Sequence, residues 1–183
     1  MRIILDMDDV CNKFIPTLID EFNKIHKTNY TTDIIDRWEI PKELLDKGFW
    51  DILTNDLIEN MPIKEGTKET LELWSNKENL EVVIVTGVTK PKHYLSKLNW
   101  LKNKGIDKYV KDLIPTVNKE MIDGEVFIDD NPEYLRKWKR YHPDGLCLMM
   151  TASHNKNKDY SDEFIRVNNW SEISILIELL TRV

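Results

Sequence analysis

Four short apolar runs constrain this chain more than anything else in it: "IIL" at 3–5, "VVIV" at 82–85, "VFI" at 126–128 and "LCLMM" at 146–150. Each is too short for a helix, and none alternates with polar residues, which is the pattern of strands covered on both faces. Helical periodicity lies between them. Phe14, Ile15, Leu18, Ile19, Phe22 and Ile25 share one face, and so do Tyr94, Leu95, Leu98 and Leu101. Asn131 is placed to cap a helix that has Pro132 at its first position. "NWSEISILIELL" predicts a final helix starting near Ser171, with Ile173, Leu176, Leu179 and Leu180 turned inward. Strands alternating with helices predict an α/β fold, a Rossmann-like parallel sheet with helices on both sides.

One interval breaks this rhythm. About 75 residues separate the first run from the second, far more than a crossover connection needs. Residues 14–63 are expected to form a small helical cap, inserted into a discontinuous core of residues 1–13 and 64–183. Pro62 and Gly66 mark the return to the core. The insertion is unusually aromatic, carrying Phe14, Phe22, Tyr30, Trp38, Phe49 and Trp50.

Each core run ends in chemistry. "RIILDMDDV" closes the first strand with Asp6, Asp8 and Asp9; Thr86 and Gly87 follow the second; Asp129 and Asp130 follow "VFI". Ligands of open α/β sheets bind beyond the carboxyl ends of the strands. The charges therefore converge at one edge of the sheet instead of being stranded in its core. Clustered carboxylates without nearby His or Cys ligands call for a hard cation, and Mg²⁺, held by one or two carboxylates plus a substrate phosphate, fits best. The D-x-D spacing puts two carboxylates on the same side of an extended segment. One can bind metal and attack while the other moves protons. Thr86 offers a hydroxyl to a phosphate oxygen, Gly87 a close backbone approach, and Lys119 a point charge to balance a phosphoryl group.

These stretches resemble a known family. "DMDDV", "VVIVTG", Lys119 and "VFIDDNP" are similar to the four ordered motifs of the haloacid dehalogenase superfamily of phosphatases. "GFW" at 48–50, "NKEMIDGEVFIDD" and "TASHN...NNWSEI" extend the resemblance to its 5'(3')-deoxyribonucleotidase family, cytosolic type C 5'-nucleotidases, over nearly the whole chain. The resemblance implies that Asp6 is a nucleophile forming an aspartyl-phosphate and that Asp8 is the general acid and then the base. It implies that Thr86 and Lys119 hold phosphate, beside the backbone approach at Gly87. Asp6, the backbone carbonyl of Asp8, and Asp129 would hold Mg²⁺. Asp130, read from its position alone, is a further ligand, a helix cap or, as expected here, an acid behind the ligands. Phe14, Phe49 and Trp50 match positions that line a base pocket. Three positions depart from the pattern: Asp9 stands where glycine is usual, Gly87 where close relatives have serine, and Asn131 where they have arginine.

The expected activity is Mg²⁺-dependent hydrolysis of a small phosphate monoester, a nucleotide. The alternatives are a phosphatase of the same superfamily for another metabolite, and a non-catalytic phosphate- or metal-binding regulator. Trp38 is expected in the core or at the rim, and His154 and Asn155 in a loop at the active edge. Lys90 and Lys92 are expected on the solvated surface.

Composition narrows the partners. With 183 residues, 41% of them hydrophobic and 32% charged, the chain can bury a core and keep a polar surface. A formal net charge of -6 disfavours nucleic acid polymers and anionic membranes. Cys11 and Cys147 have no CxxC partner, and no apolar stretch reaches membrane-span length. With no signal peptide evident, a cytoplasmic protein is expected, with a homodimer as the candidate assembly.

Overall fold

The computed structural model describes residues 1–88 and 90–181. In chain order its elements are β1 (Arg2–Asp6), α1 (Phe14–His26), α2 (Lys42–Leu45), α3 (Asn55–Asn60), α4 (Thr67–Ser75), β2 (Glu81–Thr86), α5 (Pro91–Lys104), β3 (Asp112–Pro115), β4 (Val126–Asp129), α6 (Pro132–Tyr141), β5 (Leu146–Met150), β6 (Ile165–Val167) and α7 (Trp170–Thr181). Short 3-10 turns, among them Phe49–Ile52, fill the insertion.

All six strands pair in parallel, in the order β3-β2-β1-β4-β5-β6. Period-2 geometry divides each apolar run between the two faces. Ile3, Leu5, Val82, Ile84, Ile128 and Leu148 pack on one side against Trp74 of α4, Trp100 of α5 and Ile173 and Ile177 of α7. Ile4, Val83, Val85, Phe127 and Met149 pack on the other against Leu135 and Trp138 of α6. Both faces are thus dry, as the unalternating runs predicted. Chain order reverses between β1 and β4, so the crevice opens at the ends of those two strands.

Two strands escape sequence reading. β3 and β6 are edge strands of four and three residues, containing Pro115 and Arg166, and carry no long apolar run. The helix faces also need correction. In α7 the buried stripe is Trp170, Ile173 and Ile177; Leu179 and Leu180 are exposed, the first rotated off the stripe and the second in the last turn. Ile25 at the end of α1 is exposed. In α5, Leu95 is exposed, and the inward face carries His93, Ser96, Lys97, Trp100 and Leu101. Three of those five are polar because the first half of α5 faces the crevice.

The segment 14–63 has its own apolar cluster, built on Ile15, Leu18, Ile19, Phe22, Ile35, Leu44, Phe49 and Ile52. Its two connections to the sheet are tied to each other. Lys13 N donates to Pro62 O at 2.9 Å, Lys64 N to Cys11 O at 2.9 Å, and Asn12 bridges Ile63. The far end of the segment also anchors on the sheet core: Ile58 and Met61 join its cluster, and Trp100 Nε1 donates to Met61 O at 2.8 Å. Both cysteines are free and buried. Among the described residues, no helix is long and apolar enough to cross a membrane.

Candidate active site

β1 delivers Asp6 and β4 delivers Asp129 from neighbouring strands, since Leu5 pairs with Ile128. Asp6, Asp129 and Asp130 are buried, and each offers an oxygen within 4.8 Å of the other two. Lys119, also buried, enters between two of them. Its Nζ lies 2.5 Å from Asp6 Oδ1 and 2.7 Å from Asp129 Oδ2, and it sits 4.4 Å from the centre of the Tyr134 ring. Asp129 Oδ1 accepts from Asn131 N at 2.8 Å.

One lysine does not neutralise three buried acids. Burial pushes Asp6 up to about 7; Lys119 pulls it down, and Asp129 and Asp8 push it up further. Burial likewise raises Asp130 well above the usual carboxylate range, with Asp129 and Asp6 adding to the shift. Burial works against the Lys119 ammonium, but Asp129 and Asp6 more than offset it and hold its pKa above normal. The cluster therefore holds protons that a bound cation would displace. Its donors are all oxygens, which fits a hard divalent ion. Asp130, expected behind the ligands, is as close as Asp6 and Asp129 and offers itself as a third carboxylate.

Asp8 differs from these acids in being accessible, its side chain 25% exposed. Asn12 Nδ2 holds its Oδ1 at 3.0 Å and Lys97 Nζ its Oδ2 at 2.6 Å. Thr86 is buried at the end of β2, and Gly87 is exposed beside it. A Cβ at Gly87 would meet only Val117 Cγ1, at 3.9 Å, so packing does not demand glycine there. Asp9 adopts the left-handed conformation at φ 55° that favours glycine. Its carboxylate is turned into the fold and accepts from Ile15 N at 3.1 Å, at the start of α1, while Lys64 Nζ bonds its carbonyl. Burial raises its pKa to about 7, against the pull of Lys64.

A cavity of about 560 Å³ joins these groups to the insertion. Phe14, Ile35, Trp38 and Trp50 line it together with Asp6, Asp8 and Lys119. A larger open depression, about 960 Å³, lies at the opposite end of the sheet around Met1, Lys108 and His142, far from the acids. Of the three aromatics expected at a base, Phe14 and Trp50 reach the cavity and Phe49 does not. Phe49 is fully buried in the insertion's own cluster, 5.8 Å from Phe22 and 5.2 Å behind the half-exposed Trp50. Neighbours in a tight turn point apart, and only one of the pair can face the cavity.

Residues to which the motifs assign no role also border the site. Trp38 stands at the rim, edge-on to His154 at 4.9 Å. His154 and Asn155 brace the acids: His154 Nε2 lies 3.1 Å from the Asp130 carbonyl oxygen, and Asn155 Nδ2 donates to the same atom at 2.8 Å. Lys97 belongs to none of the motifs, although its spacing from His93, Trp100 and Leu101 puts it on the inward stripe of α5. Lys90 is exposed at the cavity, and Lys92 is exposed. Asn131 caps α6, its Oδ1 accepting from Glu133 N at 2.9 Å.

Solved structures share this architecture. L-2-haloacid dehalogenase from Xanthobacter autotrophicus aligns with a TM-score of 0.62 at 8% identity, covering 97% of this chain and 98% of its own. A haloacid dehalogenase-like family hydrolase from Xanthomonas campestris aligns at 0.58 with 12% identity, over 98% and 95%. These likenesses show the fold of the haloacid dehalogenase type, here with acids at its strand ends. Within that class, residues 1–183 match the family described as "5' nucleotidase, deoxy (Pyrimidine), cytosolic type C protein", and the chain belongs to it. A 5'(3')-deoxyribonucleotidase from Clostridium acetobutylicum is 27% identical over 183 residues, spanning 96% of this chain and 94% of the relative. The chain is an enzyme, a phosphatase of the nucleotidase type.

Proposed function

We propose that this enzyme hydrolyses 5'- or 3'-deoxyribonucleoside monophosphates through an aspartyl-phosphate on Asp6, with Mg²⁺ bound by Asp6, Asp129 and the backbone carbonyl of Asp8. The observation that carries this reading is the pairing of a buried acid, Asp6, with an accessible one, Asp8, in a cavity that aromatics also line. An Asp6 oxygen attacks phosphorus as the bond to the leaving oxygen breaks, and Asp8 gives that oxygen its proton. Asp8 then takes a proton from the water that attacks the acyl phosphate, releasing phosphate and restoring Asp6. Lys119, the Thr86 hydroxyl and the backbone at Gly87 hold the phosphoryl oxygens. When bound, the metal neutralises carboxylate and phosphate charge together, which lowers the repulsion that Asp6 must overcome. The segment 14–63 acts as the cap, excluding water and reading the leaving group. A panel of deoxyribonucleoside, ribonucleoside and sugar monophosphates, assayed with Mg²⁺ and with excess chelator, tests the assignment. Preference for a sugar phosphate, or full turnover in chelator, contradicts it.

Metal and protons compete for the same acids, which predicts a pH signature. The folded pKa of Asp6 is raised to about 7 from 3.8, so the metal-free protein binds more protons than its unfolded chain between those values. Its stability should therefore fall as pH rises through that window and level off above it. Added Mg²⁺ should raise the melting temperature more at pH 8 than at pH 5.5, because at the lower pH it must displace protons. An equal shift at both pH values in thermal melts would contradict metal binding at Asp6.

Phe49 and Trp50 should separate stability from recognition. Phe49→Ala removes a fully buried ring and should cost about 3–5 kcal/mol of stability. Trp50→Ala should leave the melting temperature nearly unchanged and raise KM for the preferred deoxynucleotide about tenfold, the value of one stacked base. Hydrolysis of p-nitrophenyl phosphate, which has no base, should change far less. Melting curves and steady-state kinetics on both esters check the pair.

A further inference from the structure

The proposed chemistry leaves the buried Lys97 without a role. Lys97, 4% exposed, projects from α5, and its ammonium has three acceptors: Asp8 Oδ2 at 2.6 Å, Thr86 Oγ1 at 2.5 Å and Gly87 O at 3.3 Å. An ammonium has three protons, so this arrangement leaves none for a phosphate oxygen. A lysine held this far from water is costly, and packing alone would be served by an apolar residue such as the neighbouring Trp100 or Leu101.

Its partners suggest what the cost secures. With Asn12 on Oδ1 and Lys97 on Oδ2, both oxygens of the Asp8 carboxylate are fixed and its plane has one orientation. Thr86 Oγ1 accepts from the same ammonium, so its only O–H proton is left to point away from Lys97. We propose that Lys97 is a positioning residue for phosphoryl transfer, aligning Asp8 with the leaving oxygen and freeing the Thr86 hydroxyl to donate to the phosphate. This rests on the phosphatase reading above. In the step it serves, the Asp6–phosphorus bond forms, the bond from phosphorus to the leaving oxygen breaks, and the proton of the Asp8 carboxyl group passes to that oxygen.

Leaving groups distinguish alignment from mere structure. The alkoxide of a nucleoside needs the Asp8 proton, whereas p-nitrophenolate departs without one, and kcat/KM reports transition-state stabilisation from free enzyme and substrate. Lys97→Met, shown folded by circular dichroism and melting, should lose about 10²-fold in kcat/KM on a deoxyribonucleoside 5'-monophosphate. On p-nitrophenyl phosphate the loss should be about tenfold smaller. Lys97→Gln, which keeps a donor, should recover part of the difference; if the methionine variant does not fold, the same comparison is made with the glutamine variant and wild type. Equal losses on both esters, or no loss on either, overturn the role of Lys97. A wild-type enzyme inert toward both esters would instead overturn the phosphatase reading itself.

Discussion

Asp6→Asn is expected to abolish turnover of every phosphate monoester that the enzyme accepts, while the protein stays folded. Removing a covalent nucleophile costs on the order of 10⁶ in kcat in a well-studied hydrolase, and a comparable loss is expected here. The amide is nearly isosteric and keeps an oxygen for Lys119 Nζ, which lies 2.5 Å from Asp6 Oδ1. It also removes the buried negative charge whose cost lifts the Asp6 pKa to about 7, so the variant should melt no lower than wild type near pH 8. Lost activity with retained stability separates a nucleophile from a structural acid. Steady-state phosphate release and thermal melts of the same preparation decide between them.

Lys119→Met should damage both stability and rate. The ammonium bridges Asp6 and Asp129 inside the protein, and breaking a buried pair by removing one partner costs about 3–5 kcal/mol. The acids left behind can protonate instead. Asp6 then loses the pull that opposes its burial and holds its proton more tightly, so the penalty should be nearly full above pH 7 and much smaller near pH 5. Loss of the same charge from the phosphoryl group should lower kcat by about 10²–10³. Denaturant unfolding in chelator at pH 8 and pH 5 checks the first effect, and kinetics with Mg²⁺ the second. A variant as stable as wild type at pH 8 would mean that the three acids are already neutral without Lys119.

Legibility in the sequence followed burial. β1, β2, β4 and β5 announce themselves because both faces are dry, so every residue of the run is apolar. β3 and β6 lie at the sheet edges, where short length and polar residues remove that signal. The convergence of the strand-end acids was legible for a related reason: one such Asp is usually a cap or turn residue, but several buried runs ending in acids must bring them to one edge. Lys97 was not, because a search for apolar periodicity passes over a lysine even when it lies on the buried stripe. Phe49 and Trp50 show another limit. They are adjacent, and only the three-dimensional turn tells which ring is core and which meets the cavity. Asp9 illustrates a third. The run of acids does not tell its members apart, yet the Asp9 carboxylate accepts from Ile15 N in the first turn of α1.

The central claim is that phosphate passes through a covalent bond to Asp6. The direct measurement is acid quenching of wild-type enzyme during turnover of its preferred deoxynucleotide with Mg²⁺, followed by peptide mapping by mass spectrometry. The account predicts one phosphorylated peptide, containing residues 2–10 with the phosphoryl group on Asp6, and none from Asp6→Asn. Rapid turnover with no phosphorylated peptide at any quench time, or a phosphoryl group mapped to Asp8 or Asp129, would contradict it.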